Sequence, residues 1–292
     1  MSKKLKIGLA LGGGGARGYA HLGVLKCFEE NGIKFDYVAG TSAGSVVASL
    51  YASGLKFDDM YAIGKNLNLK DIKKNKIFFM PDNTDGIEDI IKRYCPVQQI
   101  ENLEIPTSIV AVDLKTGSEV DITKGYLPKA VAGSCSVPSV FNPVIFENMH
   151  LVDGGLSNTI PSSVCKKHNC DVVIAVDVNP TRCYGTDSVK LLDVLFASIR
   201  IMMQTNAVKG EMYSDVLIAP NLKKFSSVSN SGYDEMIEIG YQTAKSKINE
   251  IKELLKGKNK KDNFISKLKR VFKKDVKSKK VENFEKNHKD GE

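Results

Sequence analysis

Histidine is scarce in this chain of 292 residues: His21, His150, His168 and His288 are the full supply. Any acid–base chemistry built on imidazole has only these four to draw on. The six cysteines (Cys27, Cys95, Cys135, Cys165, Cys170 and Cys183) contain no C-x-x-C pair, so reduced, buried thiols are the expected state. No stretch approaches the ~18 apolar residues of a spanning helix. The N-terminal MSKKLKIGLALGGGG begins like a signal peptide, but its apolar run is short and broken by glycine. A cytoplasmic protein is expected. There is no internal repeat, and no G-K-[ST] follows the glycine-rich stretch, which excludes a P-loop.

Net charge is also absent from most of the chain. The formal charge of +8 resides in residues 256–292, which hold 14 Lys/Arg against 6 Asp/Glu, leaving 28 of each sign elsewhere. With 42% apolar residues the chain can bury a sizeable core, and one globular domain over residues 1–255 is expected, followed by a tail. In the tail, Phe264, Ile265, Leu268, Val271 and Phe272 recur at helical spacing among lysines. Such a stripe over residues 262–280 suits an anionic membrane surface, each lysine near it adding on the order of 1 kcal/mol. A disordered lysine-rich end has the same composition. Nucleic acid is not the expected partner, because the apolar stripe would have no use there.

Strand-like runs at residues 6–11, 35–39, 105–112, 172–178 and 216–219 alternate with helix-period segments, which predicts an α/β sheet covered by helices. The spacing predicts a helix over residues 18–31 with Leu22, Leu25 and Phe28 inward, a second inside GTSAGSVVASLYASG, and a closing helix over 233–255. Asp113 opens D-L-K-T-G, which reads as a turn between two strands.

Two motifs end strand-like runs and open helices. Residues 12–18, GGGGARG, satisfy G-x-G-x-x-G through Gly13, Gly15 and Gly18, and bare backbone amides at a helix start favour an anion, whether a pyrophosphate or a transient oxyanion. A dinucleotide site would want an acid at the end of the second strand, yet the nearest, Asp36, begins that strand. Gly40-Thr41-Ser42-Ala43-Gly44 is G-x-S-x-G in strand-to-helix context, the setting of a nucleophilic serine. Ser42 needs a base. His21 sits on the apolar side of a helix with Leu25 and Phe28, as a packed histidine would, and His168 lies in Lys166-Lys167-His168-Asn169, which reads as an exposed helix end. The other route is a carboxylate: Asp153 in His150-Leu151-Val152-Asp153-Gly154-Gly155, with Asp113 as rival.

Gly13-Gly14-Gly15-Ala16-Arg17-Gly18, Gly40-Thr41-Ser42-Ala43-Gly44 and Asp153-Gly154-Gly155, in this order, resemble the three motifs of patatin-like phospholipases. The resemblance spans roughly residues 5–220 and takes in Ser134-Cys135-Ser136-Val137-Pro138, Phe141-Asn142-Pro143, Asn158 and Pro161. It implies a three-layer α/β/α fold with a mostly parallel central sheet and a Ser–Asp dyad that cleaves lipid acyl esters without histidine, metal or cofactor. Carried over, Ser42 is the nucleophile, Asp153 the general base, and the Gly13, Gly14 and Gly15 amides the oxyanion hole. Arg17 fills the motif's basic position and shapes the loop, with Gly18, Gly40, Gly44, Gly154 and Gly155 in support. The fourth glycine, Gly12, is a departure. An acyl trough is expected beside Ser42, with Ile77, Phe78, Phe79 and Met80 before Pro81, and Met202 and Met203, as candidate lining. Competing expectations are a nucleotide-binding module and a non-catalytic lipid binder.

Overall fold

Strands whose residues are apolar at every position must bury both faces, and this sheet does so by alternation. The computed structural model describes residues 4–67, 83–179 and 188–256. Its sheet is built on β1 (Ile7–Leu11), β2 (Tyr37–Thr41), β3 (Thr107–Asp113), β7 (Val172–Val176) and β8 (Val216–Ile218), all mutually parallel in the order β3-β2-β1-β7-β8. On one face Leu9, Leu11, Val38, Ile109, Ile174 and Val176 enter the larger core; on the other, Ala10, Ala39, Val110, Val173 and Ala175 enter a smaller one. The larger core is covered by α1 (Tyr19–Glu30), α2 (Ala43–Ala52), α3 (Phe57–Asn66), α4 (Asp85–Tyr94), α5 (Leu127–Ser134), α8 (Tyr233–Lys245) and α9 (Ile248–Leu255). Against the smaller lie α6 (Ser162–Lys167) and α7 (Leu191–Tyr213), where Val164, Cys165 and Ala207 contribute. The result is the expected three-layer α/β/α arrangement, with Leu22, Leu25 and Phe28 of α1 inward as the periodicity requires.

The remaining strands bring the site together. β4 (Ser118–Ile122) forms an antiparallel hairpin with β3 along one of its edges, over Ile109–Asp113. The other edge of β3 is shared. Residues 107–110 pair with β2, and residues 111–113 pair antiparallel with β6 (Met149–Asp153), itself paired with β5 (Val144–Phe146). Thr41 is therefore opposite Val110, and Asp153 opposite the adjacent Ala111. Two segments 111 residues apart in the chain meet end to end on one strand.

The closing helix expected over residues 233–255 is instead two helices, α8 and α9. The Ser246 hydroxyl takes the Thr243 carbonyl at 2.7 Å, an acceptor that a continuous helix would give to the Lys247 amide, which turns to Ala244 at 2.8 Å. Among the described residues no helix is long and apolar enough to cross a membrane. Cys27, Cys95, Cys135, Cys165 and Cys170 are free and buried, while Cys183, residues 77–81 and the tail beyond Lys256 lie outside the described residues.

Candidate active site

The strand-to-helix turn at Ser42 is as sharp as its flanking glycines permit. A Cβ on Gly40 would meet the Gly44 carbonyl and Ser45 Cα, and one on Gly44 would collide with the Leu11 carbonyl, so both positions admit only hydrogen. Ser42 itself stands at φ 53° and ψ −128°, a strained backbone that lifts its hydroxyl clear of both strand and helix. Two contacts hold it there. The Ser42 N–H donates to Ser134 Oγ at 2.9 Å, and the Ser134 hydroxyl in turn donates to the Val110 carbonyl at 2.6 Å. The Ser45 amide and hydroxyl both bind the Ser42 carbonyl, at 2.7 and 2.6 Å.

The Ser42 hydroxyl donates to Asp153 Oδ2 at 2.6 Å. Asp153 is wholly buried, and its other oxygen accepts from the Gly155 N–H at 2.8 Å. Burial pushes its carboxyl up to about 6, against the pull of the Ser42 hydroxyl and the Gly155 amide. That places the group near the pH at which a carboxylate both accepts and returns a proton readily. Cys135, next to Ser134 at the end of α5, lies 3.9 Å from the Ser45 hydroxyl; burial pushes its thiol up and leaves it protonated.

Beside the serine runs the glycine loop. A Cβ on Gly13 would lie 3.1 Å from Ser42 Cβ. Its amide, expected among the oxyanion donors, is already engaged: it donates to the Thr159 carbonyl at 3.0 Å, as Gly12 does to Val176 at 3.0 Å and Ala16 to Ser227 at 2.8 Å. Of the four glycine amides, those of Gly14 and Gly15 have no protein acceptor among the described residues. Arg17 ties the loop from outside, Nε donating to the Phe225 carbonyl at 2.9 Å and Nη1 to Asn179 Oδ1 at 2.7 Å, while Asn179 Nδ2 donates to the Gly13 carbonyl at 2.8 Å. Ser134, Thr159 and Asn179 thus support the site, and nothing local in the sequence marks their roles.

His21 and His168 are occupied elsewhere. His21 is fully buried under the loop, with Nε2–H donating to the Gly12 carbonyl at 2.8 Å, and burial lowers its pKa to about 4. His168 caps α6 and stacks on Tyr37, its Nε2–H donating to Asp121 Oδ2 at 2.7 Å. That carboxylate also binds Lys167 and the Ser108 hydroxyl, at the end of the sheet where β2 and β3 begin, whereas Ser42 follows the end of β2. Asp113 closes the β3–β4 turn: the His150 and Lys115 amides and the Thr116 hydroxyl bind its carboxylate and hold it below the usual range. Asp36 accepts the Ile7 amide at 2.9 Å ahead of β2, at the opposite end of the strands from the glycine loop, which removes the ribose contact of a dinucleotide site. Met203 Cε packs where a Gly155 Cβ would be, bordering the site; Met202 is turned outward. A cavity of about 580 Å³ near Ser53, Tyr94 and Glu104 lies at the far end of α2. Among the described residues no group of three or more His, Cys, Asp or Glu could hold a metal ion.

The chain is similar to several known proteins. An uncharacterised NTE family protein of Mycobacterium bovis is 34% identical over 186 residues, covering 61% of this chain and 50% of its own. Lysophospholipase NTE1 of Mycosarcoma maydis is 28% identical, with coverage of 82% and 14%, and human patatin-like phospholipase domain-containing protein 6 is 28% identical, with coverage of 82% and 20%. The chain spans half the length of the mycobacterial relative and a fifth or less of the two eukaryotic ones. Among solved structures, VipD from Legionella pneumophila shares the fold at a TM-score of 0.52 and 13% identity, covering 85% of this chain and 67% of that one. The family profile described as Patatin-like phospholipase matches residues 9–165, more than half of the sequence, and since that span contains the glycine loop, Ser42 and Asp153 alike, the chain belongs to the patatin-like phospholipase family.

Proposed function

We propose that the protein is a serine hydrolase that cleaves carboxylic esters of lipids through Ser42 and Asp153. The observation that carries this reading is the 2.6 Å contact between the Ser42 hydroxyl and a carboxylate with no exposure to solvent. Ser42 Oγ attacks the ester carbonyl as its proton passes to Asp153 Oδ2; transfer accompanies attack, since a carboxylate is too weak a base to remove the proton beforehand. The charge that develops on the carbonyl oxygen is met by the Gly14 and Gly15 amides and by the positive end of α2. Each such donor contributes about 3 kcal/mol to the transition state. Asp153 then returns the proton to the leaving alcohol, and water repeats the cycle on the acyl-enzyme.

The relatives named lysophospholipase support a lysophospholipid as the first substrate to try. Fatty-acid release from lysophosphatidylcholine, phosphatidylcholine and a soluble short-chain ester tests the reading. The wild-type chain should hydrolyse at least one, and Ser42→Ala none. A folded wild-type protein that releases nothing from any of the three refutes it.

A further inference from the structure

Helix α6 ends in a left-handed bend, and two thiols meet across it. Asn169 stands at φ 60°, its amide donating to the Lys166 carbonyl at 3.0 Å and the next amide, that of Cys170, to the Cys165 carbonyl at 3.1 Å. This pairing folds the chain back so that the side chains at its two ends, commonly apolar, pack on each other. Here they are Cys165 and Cys170. With 3.1 Å between amide nitrogen and carbonyl oxygen, their Cα atoms are no more than about 7 Å apart, within the span a disulfide bridges. Strand β1 passes beneath them with a glycine. A Cβ on Gly8 would lie 2.9 Å from Cys165 Cβ, 3.1 Å from Cys170 Cβ and 2.8 Å from Cys170 Sγ, so bare Gly8 leaves both side chains their place.

The two sulfurs are not alike. Cys165 is wholly buried, and burial pushes its thiol up, as it does those of Cys27 and Cys135. Cys170 lies in the bend between exposed Asn169 and Asp171. Contact with the Cys165 thiol holds it below the ordinary thiol value against the cost of burial, and Lys6 and Lys166 add to the pull. Their ammonium groups are fixed on either side of it: Lys6 Nζ donates to the His168 carbonyl at 2.9 Å, and Lys166 Nζ to the Asp171 carbonyl at 3.1 Å while pairing with Asp215 at 2.6 Å. A nucleophilic thiol touching a second, proton-bearing thiol is the arrangement that a hydroperoxide converts to a disulfide. The pair lies where α6 hands over to β7, at the opposite end of the strands from Ser42.

We propose that Cys170 and Cys165 are a peroxide-oxidisable pair, Cys170 reacting first and Cys165 resolving it to a reversible disulfide. The Cys170 sulfur attacks one peroxide oxygen, the O–O bond breaks, and the departing hydroxide takes the thiol proton as water, leaving a sulfenic acid. Cys165 sulfur then attacks Cys170 sulfur; the S–S bond forms, the S–O bond breaks, and the hydroxyl leaves with the Cys165 proton as a second water. Two thiols are oxidised and one peroxide is reduced. The proposal does not depend on the hydrolase reading.

The test treats the reduced full chain with hydrogen peroxide, blocks remaining thiols with N-ethylmaleimide, and digests it with trypsin without reduction, cleavage at Lys166 and Lys167 separating the two cysteines. Peptides joined through Cys165 and Cys170 are expected, parted again by dithiothreitol, with Cys27, Cys95 and Cys135 carrying maleimide and whatever ester turnover the untreated protein shows retained. In Cys165→Ser, dimedone should trap Cys170 as the sulfenic acid. In Cys170→Ser, oxidation of Cys165 should be at least ~10-fold slower than in the wild type. Maleimide on both Cys165 and Cys170 after another cysteine has been oxidised overturns the proposal, and this result needs no variant to fold. So does a link from Cys170 to Cys183 or to a second chain, oxidation of Cys165 at the wild-type rate in Cys170→Ser, or oxidation of Cys135 with loss of turnover, which would place the reactive thiol beside Ser42.

Discussion

Asp153→Asn separates the cost of a buried carboxylate from its use. In the folded chain Asp153 ionises at about 6 rather than 3.8, because burial disfavours the charged form. That difference corresponds to about 3 kcal/mol. Its sign follows from proton binding: between these two values the folded state holds more protons than the unfolded one, so stability falls as pH rises through the window. The wild type is thus relieved of the cost below pH 3.8 and bears it in full above about 6. Asparagine never bears it. It keeps one carbonyl oxygen for the Gly155 amide and offers N–H to Ser42, losing about 1 kcal/mol of hydrogen bonding. At pH 8 the variant should be about 2 kcal/mol more stable than wild type by urea unfolding, and at pH 4 that advantage should be gone. Turnover should be lost throughout, and wild-type kcat/KM should rise with pH through about 6 as the base ionises. A variant less stable than wild type at pH 8, or a stability difference that ignores pH, would show that the buried carboxylate is not strained in this way.

Ser134→Ala leaves the Ser42 amide and the Val110 carbonyl buried without their partner. It should cost about 2 kcal/mol of stability and, by loosening the strained turn, lower kcat with little change in KM; rescue by Thr would confirm that the hydroxyl is what matters. His168→Ala should lose about 1 kcal/mol with its Asp121 bond and leave soluble-ester turnover intact, whereas a catalytic triad through His168 demands its loss.

Features dictated by spacing within a few residues are legible in the sequence. The glycines around Ser42 declare themselves because each is forced by its neighbour's backbone, and the strand faces follow from simple alternation on β1, β2 and β7. What depends on distant partners is not. Nothing in a run of four glycines says which amide is taken, because the acceptor for Gly13 is the carbonyl of Thr159. Ser134 sits among Cys135 and Ser136, with no local sign that its hydroxyl faces the Ser42 amide. The meeting of Ser42 and Asp153 depends on β2 and β6 dividing one edge of β3, a matter of register across three segments. Helix α7 gives no clean amphipathic signal, since large apolar residues such as Leu195 and Ile201 stand on its exposed side. The break between α8 and α9 turns on a single hydroxyl.

The central claim is that Ser42 is a nucleophile activated by Asp153. Intact-mass and peptide analysis after treatment with a fluorophosphonate tests it most directly. One adduct, on Ser42, is expected in the wild type, with none in Ser42→Ala and sharply slowed labelling in Asp153→Asn. No adduct on the folded wild type, an adduct on another serine, or labelling of Asp153→Asn at the wild-type rate would contradict it.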